Sequence, residues 1–233
     1  MSEVYLIQEE TLTAIADKIR EKSPQIWGQI NEIYPQDFPI GIEDACTESA
    51  SGGGSSDIVK KLIDRTITEF SSSELTAIGN YAFASSPIVN FDCPNVTTIG
   101  TSAFSTCSEL AITSLPSKLT SIGGSAFFNC KKIALTSLPN GLTSIGVNAF
   151  QNCVNLAVTR LPSSLKSISG QAFNGCTGLT SITFEGKMSS LPSNLFLNCT
   201  NLTIINVPWA EGAVANAPWG ATNATINYNY TGG

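Results

Sequence analysis

Five cysteines recur at one position of a periodic sequence, and a cysteine thiol is the side chain with the widest chemistry in this region. A nucleophilic thiol needs a base to remove its proton, most often His. The chain contains no His, which excludes Cys-His and Ser-His-Asp catalysis and His-ligated zinc. CxxC spacing, typical of thiolate zinc sites, is also missing. The recurring cysteines are Cys107, Cys130, Cys153, Cys176 and Cys199.

We predict that these cysteines are buried free thiols. Cysteine is among the most buried residue types, and the opening MSEVYLIQEE lacks the basic and apolar regions of a secretory signal, which favours synthesis in a reducing compartment. Disulfides between adjacent copies remain an alternative, because neighbouring strands lie close enough for two cysteines to be bridged. The sequence implies no metal and no cofactor.

Carboxylates offer a second kind of chemistry. Glycoside hydrolysis requires two carboxyl groups that cooperate across one bond. Between residues 75 and 207 the acidic residues are Asp92, Glu109 and Glu185, and they fall in different repeats at no common position. A polysaccharide depolymerase is therefore disfavoured, and we predict a protein that is not an enzyme.

The repeat that positions all these residues is anchored by phenylalanine at intervals of 21, 23, 23, 23 and 23 residues. Apolar residues that recur at one phase of such a period must stack on their copies in neighbouring turns, because one turn alone cannot bury them. We therefore predict that the core contains two columns, one formed by the five recurring cysteines and one formed by these phenylalanines. The phenylalanine column is Phe83, Phe104, Phe127, Phe150, Phe173 and Phe196.

Each turn is predicted to contain the same elements. A short strand lies around Leu-Thr-Ser-Ile, and the following Gly permits a tight bend or a positive φ. A compact helical or 3₁₀ turn then contains Ala-Phe-x-x-Cys. A second extended segment ends at Pro116, Pro139 or Pro162, where no ladder N–H is needed. The predicted fold class is an α/β repeat solenoid of the leucine-rich-repeat type with about six turns of 23 residues.

The second extended segment supplies the candidate ligand face. Its hydroxyls repeat in two adjacent columns, one of Thr and one of mixed polar residues, and such a row suits sugar or peptide recognition. The alternative is that Thr is simply a favourable solvent-facing strand residue. We call this set the Thr/Ser face; it consists of Thr113, Ser114, Thr136, Ser137, Thr159, Arg160 and Thr183.

The two ends differ from the repeats. Residues 8–23 have the apolar spacing of an amphipathic helix. The N-terminal segment that contains them has about 45 residues, which are few for an independent core. We therefore expect this segment to dock on the solenoid, on a copy of itself or on a larger assembly. Trp209 and Trp219 are expected to cover the last rung rather than to stack on sugars. The predicted domains are a helical attachment segment at 1–47, a Gly/Ser linker at 48–57, the solenoid at 58–207 and a C-terminal cap at 208–233.

Charge is placed unevenly along the chain. The net charge is −6, but between Glu109 and Glu185 every charged side chain is a cation. This strip either attracts an anionic partner or only keeps a Ser/Thr/Asn surface soluble. No stretch approaches the roughly 20 apolar residues of a membrane span, and we predict neither membrane insertion nor a nucleic-acid partner. The cations are Lys118, Lys131, Lys132, Arg160 and Lys166.

The motif Leu-Thr-Ser-Ile-Gly-x-x-Ala-Phe-x-x-Cys-x-x-Leu, complete at 142–156, resembles the BspA-like leucine-rich repeat family over about residues 70–207. Ser86 in place of Cys, and Leu191 and Leu195 in place of Ile and Ala, depart from the motif in the terminal turns. Two flanking segments, TLTAIADKIREKS at 11–23 and VPWAEGAVANAPWGATNATINYNY at 207–230, resemble the flanks of repeat proteins encoded by phages and prophages of Gram-positive gut bacteria. The family supplies no catalytic residues to carry over.

This resemblance implies a non-enzymatic binding protein. It would be a phage tail-associated or surface-displayed adhesin that recognises a host envelope glycan or protein, with residues 1–47 joining it to other virion or tail proteins. Its location would be the virion, after synthesis in the host cytoplasm. The alternatives are a structural virion component and an intracellular protein-interaction scaffold. A homo-oligomer is compatible with the sequence, which does not specify one.

Overall fold

The computed structural model of the chain describes residues 67–73 and 75–231. Predictions for the helix at 8–23, the attachment segment and the linker therefore lie outside the described residues. The described part is a parallel β-solenoid of about seven turns spaced by about 23 residues, which confirms the predicted solenoid. It contains no helix between residues 67 and 231, apart from the undescribed residue 74.

One side of the solenoid is a five-stranded parallel sheet built from the Leu-Thr-Ser-Ile segments. Its strands run in the order β2-β4-β5-β6-β8, and each pairs with its copy one turn away, as in Ile122 with Ile145. The isoleucines face the core and the residues before them face outward. The strands are β2 (Ala77–Ile78), β4 (Thr98–Ile99), β5 (Ser121–Ile122), β6 (Ser144–Ile145) and β8 (Ser167–Ile168).

The second extended segments form the other side, and they are regular only at the two ends of the solenoid. At the N-terminal end two strands pair in parallel, β1 with β3, and at the C-terminal end four strands run in the order β11-β10-β9-β7. The strands are β1 (Glu69–Ser71), β3 (Asn90–Asp92), β7 (Arg160–Leu161), β9 (Ser181–Phe184), β10 (Ile204–Asn206) and β11 (Thr225–Asn227).

The middle turns are joined on this side by backbone hydrogen bonds without regular strands. The Ala134 N–H donates to the Ile112 carbonyl at 3.1 Å, and the Ala157 N–H donates to the Leu135 carbonyl at 2.9 Å. The middle of the Thr/Ser face is therefore extended chain with bends at Thr113 and Thr136.

The Ala-Phe-x-x-Cys segment is a stack of tight turns, so the predicted helical turn was wrong. Residues two before and two after the core phenylalanines from Phe83 to Phe173 have positive φ, for example Ser125 at 54° and Asn129 at 58° around Phe127. The Phe127 N–H consequently points along the solenoid and donates to the Ala149 carbonyl at 2.8 Å, while the Cys130 N–H closes a turn on Phe127. Alternate amides thus serve neighbouring turns, which a helix would not allow.

The phenylalanines form one continuous stack through the core. Successive ring centroids from Phe83 to Phe196 lie 5.2 to 5.8 Å apart, and the interplanar angles do not exceed 16°. At the C-terminal end Trp209 and Trp219 are buried and meet edge to face, with centroids 6.1 Å apart. The rung at β11 is additional to the six turns that the phenylalanine spacing predicts.

The glycine after the strand is required by close backbone approach. Gly100, Gly123 and Gly146 do not have positive φ, so the predicted alternative of a left-handed residue was wrong. A Cβ on Gly146 would lie 2.5 Å from the Gly124 nitrogen and 2.6 Å from the Gly123 carbonyl carbon. These distances are shorter than van der Waals contact, and the atoms belong to backbone that cannot rotate away.

We expect Gly146→Ala to lower the free energy of unfolding by about 1–3 kcal/mol, the usual cost of forcing extra atoms into a packed site. Urea denaturation followed by circular dichroism measures this loss. Gly141→Ala is the matched control, because a Cβ there would meet just the Leu119 oxygen at 3.9 Å, and it should leave stability unchanged or raise it by about 0.4–1 kcal/mol. Equal losses for the two variants would contradict the close-approach explanation.

Candidate ligand-binding face

The structure places most of the Thr/Ser face in solvent on one side of the solenoid. Thr113, Ser114, Thr136 and Ser137 are exposed in the irregular middle turns, and Thr159 is exposed just before β7. Core residues hold this chain in position, since Ile112, Leu135 and Val158 directly precede the Thr column and are at most 4% exposed. The face is therefore a rigidly backed polar surface.

The middle of this face offers hydroxyls that no other group of the described chain uses. The side chains of Thr113, Ser114, Thr136, Ser137 and Thr159 make no hydrogen bond within residues 67–73 and 75–231. A hydroxyl can donate one hydrogen bond and accept two. Each of these groups is thus available to a ligand without first breaking an internal bond.

The opposite sheet differs, because many of its hydroxyls are already engaged. The Oγ1 groups of Thr97, Thr120 and Thr143 each donate to the Thr carbonyl of the preceding turn, at 3.0, 3.0 and 2.8 Å. Ser144 and Ser121 are joined through their hydroxyls at 2.9 Å. These residues stabilise the stacking of turns, whereas the hydroxyls in the middle of the Thr/Ser face take no part in it.

Toward the C-terminus the face becomes an internally bonded ladder. Arg160 and Thr183 are register partners, as are Thr183 and Asn206. The Asn206 amide donates to Thr183 Oγ1 at 3.0 Å, and the Asn227 amide donates to Asn206 Oδ1 at 2.8 Å. Thr183 is half-buried and already bonded, so it fits a ligand site less well than the Thr residues before it. Asn227 extends the column beyond the predicted set, and its spacing of 21 residues from Asn206 was the signal for it.

The basic strip is partly neutralised by neighbouring turns. Arg160 donates to Glu185 at 3.2 Å, and Lys132 donates to Glu109 at 2.6 Å. Lys118 donates to the Asn95 side-chain oxygen at 2.7 Å. Lys131 and Lys166 are exposed and make no such contact within the described residues. Because the Asn95 amide is neutral, Lys118 keeps its uncompensated charge. The strip therefore presents separate cations at Lys118, Lys131 and Lys166 rather than a continuous anion site.

The carboxylates do not have the properties of a catalytic pair. The hydrogen bond from Lys132 lowers the pKa of Glu109, whereas a general acid needs a raised pKa. Glu185 is paired with Arg160 instead of facing a second carboxylate. Within the described ranges no three His, Cys, Asp or Glu side chains are grouped as metal ligands require, and no helix there is long and apolar enough to span a bilayer.

The cysteine column lies in the core behind the phenylalanines. The five cysteines of the column, Cys107 to Cys199, are free thiols and buried, and Cys93 is buried too, while Cys46 lies outside the described residues. Each thiol of the column donates to the carbonyl of the phenylalanine one turn back, as Cys153 does to Phe127 at 3.0 Å. Burial raises the pKa of Cys153 and of Cys199 to about 12. These thiols are structural donors with the opposite of a nucleophile's low pKa.

A parallel solenoid with stacked leucine, isoleucine, phenylalanine and cysteine columns defines a leucine-rich repeat protein. The model of the BspA type leucine rich repeat region matches residues 65–157 and 125–212 with six copies, which together span more than half of the chain. The chain belongs to the BspA-type leucine-rich repeat family.

Solved structures share this fold. The T. pallidum leucine rich repeat protein is similar at 28% identity and a TM-score of 0.55, covering 60% of this chain and 72% of that one. A leucine-rich repeat protein from Eubacterium ventriosum is similar at 21% identity and a TM-score of 0.50, covering 71% of this chain and 45% of that one. No curated protein matches the sequence.

Proposed function

We propose that this chain is a binding protein whose Thr/Ser face recognises a glycan or protein of a host cell envelope. The observation that supports it most is the set of unbonded, exposed hydroxyls at Thr113, Ser114, Thr136, Ser137 and Thr159. The backbone that carries these hydroxyls is packed on the core. A ligand that forms hydrogen bonds with them therefore does not have to order a flexible segment of the protein. Low ordering cost is what allows a modest set of hydrogen bonds to give useful affinity.

The proposal extends to where the protein acts. The resemblance of both flanks to phage and prophage repeat proteins favours display on a phage tail, with residues 1–47 attaching the chain to other virion proteins. Purified particles should then contain the protein, and deletion of residues 1–47 should abolish its incorporation. Incorporation that persists without residues 1–47 would argue against this arrangement.

We expect removal of the Thr hydroxyls to weaken binding while the fold is kept. In Thr113→Val, Thr136→Val and Thr159→Val combined, the β-branched shape is conserved but three hydrogen-bonding groups are lost. At about 1 kcal/mol for each bond, affinity should fall about tenfold to a few hundredfold. Labelled full-length protein incubated with Gram-positive gut bacteria, and counted by flow cytometry, measures the change.

Thr98→Val combined with Ser167→Ala is the matched control. Both residues are exposed hydroxyls on the opposite sheet, so this variant should bind like the parent chain. Equal loss in both variants would assign the effect to general surface polarity. Unchanged binding by the triple variant, or retention of the parent chain on no host cell, would favour the structural alternative, in which the solenoid is a spacer.

A further inference from the structure

The sequence contains two Asn-Gly dipeptides, Asn140-Gly141 and Asn174-Gly175. Asn-Gly is the dipeptide most prone to deamidation, because glycine has no side chain to hinder attack by its own nitrogen on the preceding Asn. Both lie in the repeat region, but the structure places them in opposite environments.

Asn140 and Gly141 are exposed at the tip of a turn that the Leu142 N–H closes on the Pro139 carbonyl at 3.0 Å. Neither the Asn140 side chain nor the Gly141 N–H has a hydrogen-bond partner within the described residues. The nearest atom to a Cβ built on Gly141 would be 3.9 Å away. The reacting groups are therefore free, and space exists for ring closure.

In Asn174-Gly175, both the side chain and the backbone nitrogen that would react are held by hydrogen bonds to the next turn. Asn174 is 7% exposed, and its Oδ1 accepts from the Asn198 amide at 3.1 Å. The Gly175 N–H donates to the Leu197 carbonyl at 2.8 Å, and Gly175 has a φ of 72°. Attack by this nitrogen requires the bonds between two turns to open first, which costs free energy.

We propose that Asn140 is a site of spontaneous deamidation in the native protein and that Asn174 is protected from the same reaction. The deprotonated Gly141 nitrogen attacks Asn140 Cγ, a new N–C bond forms, and the bond from Cγ to Nδ2 breaks with release of ammonia. Water then opens the succinimide at either carbonyl to give aspartate or isoaspartate. The overall exchange is one water consumed for one ammonia released, and no oxidant or cofactor takes part.

The modification changes the charge of the solenoid next to the Thr/Ser face. Asn140 follows Ser137 of the Thr/Ser face by three residues, in the interval between Glu109 and Glu185 where every charge is a cation. Deamidation places a carboxylate there, so older molecules present a more acidic middle turn than newly made ones. The chemistry does not depend on the proposed binding function.

The test is peptide mapping of the full-length chain after incubation in mildly alkaline buffer. The tryptic peptides 133–160 and 167–187 separate Asn140 from Asn174, and tandem mass spectrometry locates the aspartate or isoaspartate. We expect conversion at Asn140 to be faster by about tenfold or more, the factor that about 1.4 kcal/mol of opening free energy sets. In denaturant both sites should convert at similar rates.

Gly141→Ala supplies the matched variant. It should slow conversion at Asn140 in native and denatured chains alike, because the new methyl group hinders the attacking nitrogen, while Asn174 is unaffected. Equal rates at the two sites in the native chain would overturn the proposal. So would an Asn140 that stays unchanged in the native chain but reacts in denaturant.

Discussion

Phe127→Ala should lower the free energy of unfolding by about 3–5 kcal/mol, the range for removing a buried phenylalanine ring. Phe127 is fully buried in the middle of the stack, with its centroid 5.4 Å from that of Phe104 and 5.3 Å from that of Phe150. The Phe127 N–H donates to the Ala149 carbonyl of the next turn, and the adjacent Ala126 carbonyl accepts from the Phe104 N–H of the preceding turn, so the backbone cannot collapse to fill the cavity. The loss is a large part of the stability of an ordinary domain.

Equilibrium urea denaturation followed by far-ultraviolet circular dichroism measures this change. Phe128→Ala is the matched control, because Phe128 is the next residue along the same turn and is half-buried. Its loss should be about half as large or less, since part of its surface is already in water. Similar losses in the two variants would mean that the stack is not what holds the central turns together.

The columns of the core were predictable because packing repeats at the sequence period. Phe127 and Cys130 recur 23 residues later as Phe150 and Cys153, and residues at one phase of a solenoid must contact their own copies. The fold follows from this argument without knowledge of any strand. The rung at β11 was predicted as part of the C-terminal cap rather than as a further turn, because no phenylalanine marks it; Trp219 fills the end of the core instead.

The backbone of the Ala-Phe-x-x-Cys turn could not be predicted from the same pattern. A spacing of three residues between Phe127 and Cys130 fits a helical turn as well as the observed turn. The difference lies in hydrogen bonds to the neighbouring turn, such as Phe127 to Ala149, and periodicity contains no information about them. For the same reason the sequence did not decide between the alternatives at Gly146, since a tight bend, a positive φ and close backbone approach all select glycine.

The candidate face was predicted in position but not in its internal bonding. The pairing of Arg160 with Thr183 follows from counting residues and is seen in the register of β7 and β9. The ion pair from Arg160 to Glu185 joins residues 25 positions apart across a turn, which no local motif reveals. The Thr136 hydroxyl is free, whereas the Thr143 hydroxyl is hydrogen-bonded. This difference depends on side-chain geometry, which cannot be inferred from the sequence because both residues are threonine.

Raising the pH above about 9 should unfold this protein progressively. In that pH range the thiols of the cysteine column keep their protons in the folded state but lose them in the unfolded state. The thiol has an ordinary pKa of 9.0, and burial raises the pKa of Cys153 and Cys199 to about 12, while those of Cys107, Cys130 and Cys176 are also raised by burial. Below pH 9.0 both states hold the proton, so stability is unaffected.

Between pH 9.0 and about 12 the unfolded chain binds fewer protons than the folded chain, so the free energy of unfolding falls as the pH rises. The slope for one thiol is about 1.4 kcal/mol per pH unit, and a column of thiols makes it several times steeper. Urea midpoints measured at a series of pH values from neutral to strongly alkaline give this slope directly.

Substitution of one member of the column separates the thiol effect from general alkaline loss. Cys153→Ala removes one titrating group, so its slope should be shallower by about one thiol's share, about 1.4 kcal/mol per pH unit. Leu156→Ala is the control, because it truncates a fully buried side chain of the same turn that does not titrate; it should lower stability at every pH and leave the slope unchanged.

A thiolate at Cys153 would also face the Phe127 carbonyl oxygen, 3.0 Å from Sγ, with no proton between them. The bond that joins these two turns at neutral pH thereby becomes a repulsion once the proton is lost, and parallel slopes for Cys153→Ala and the parent chain would refute this account.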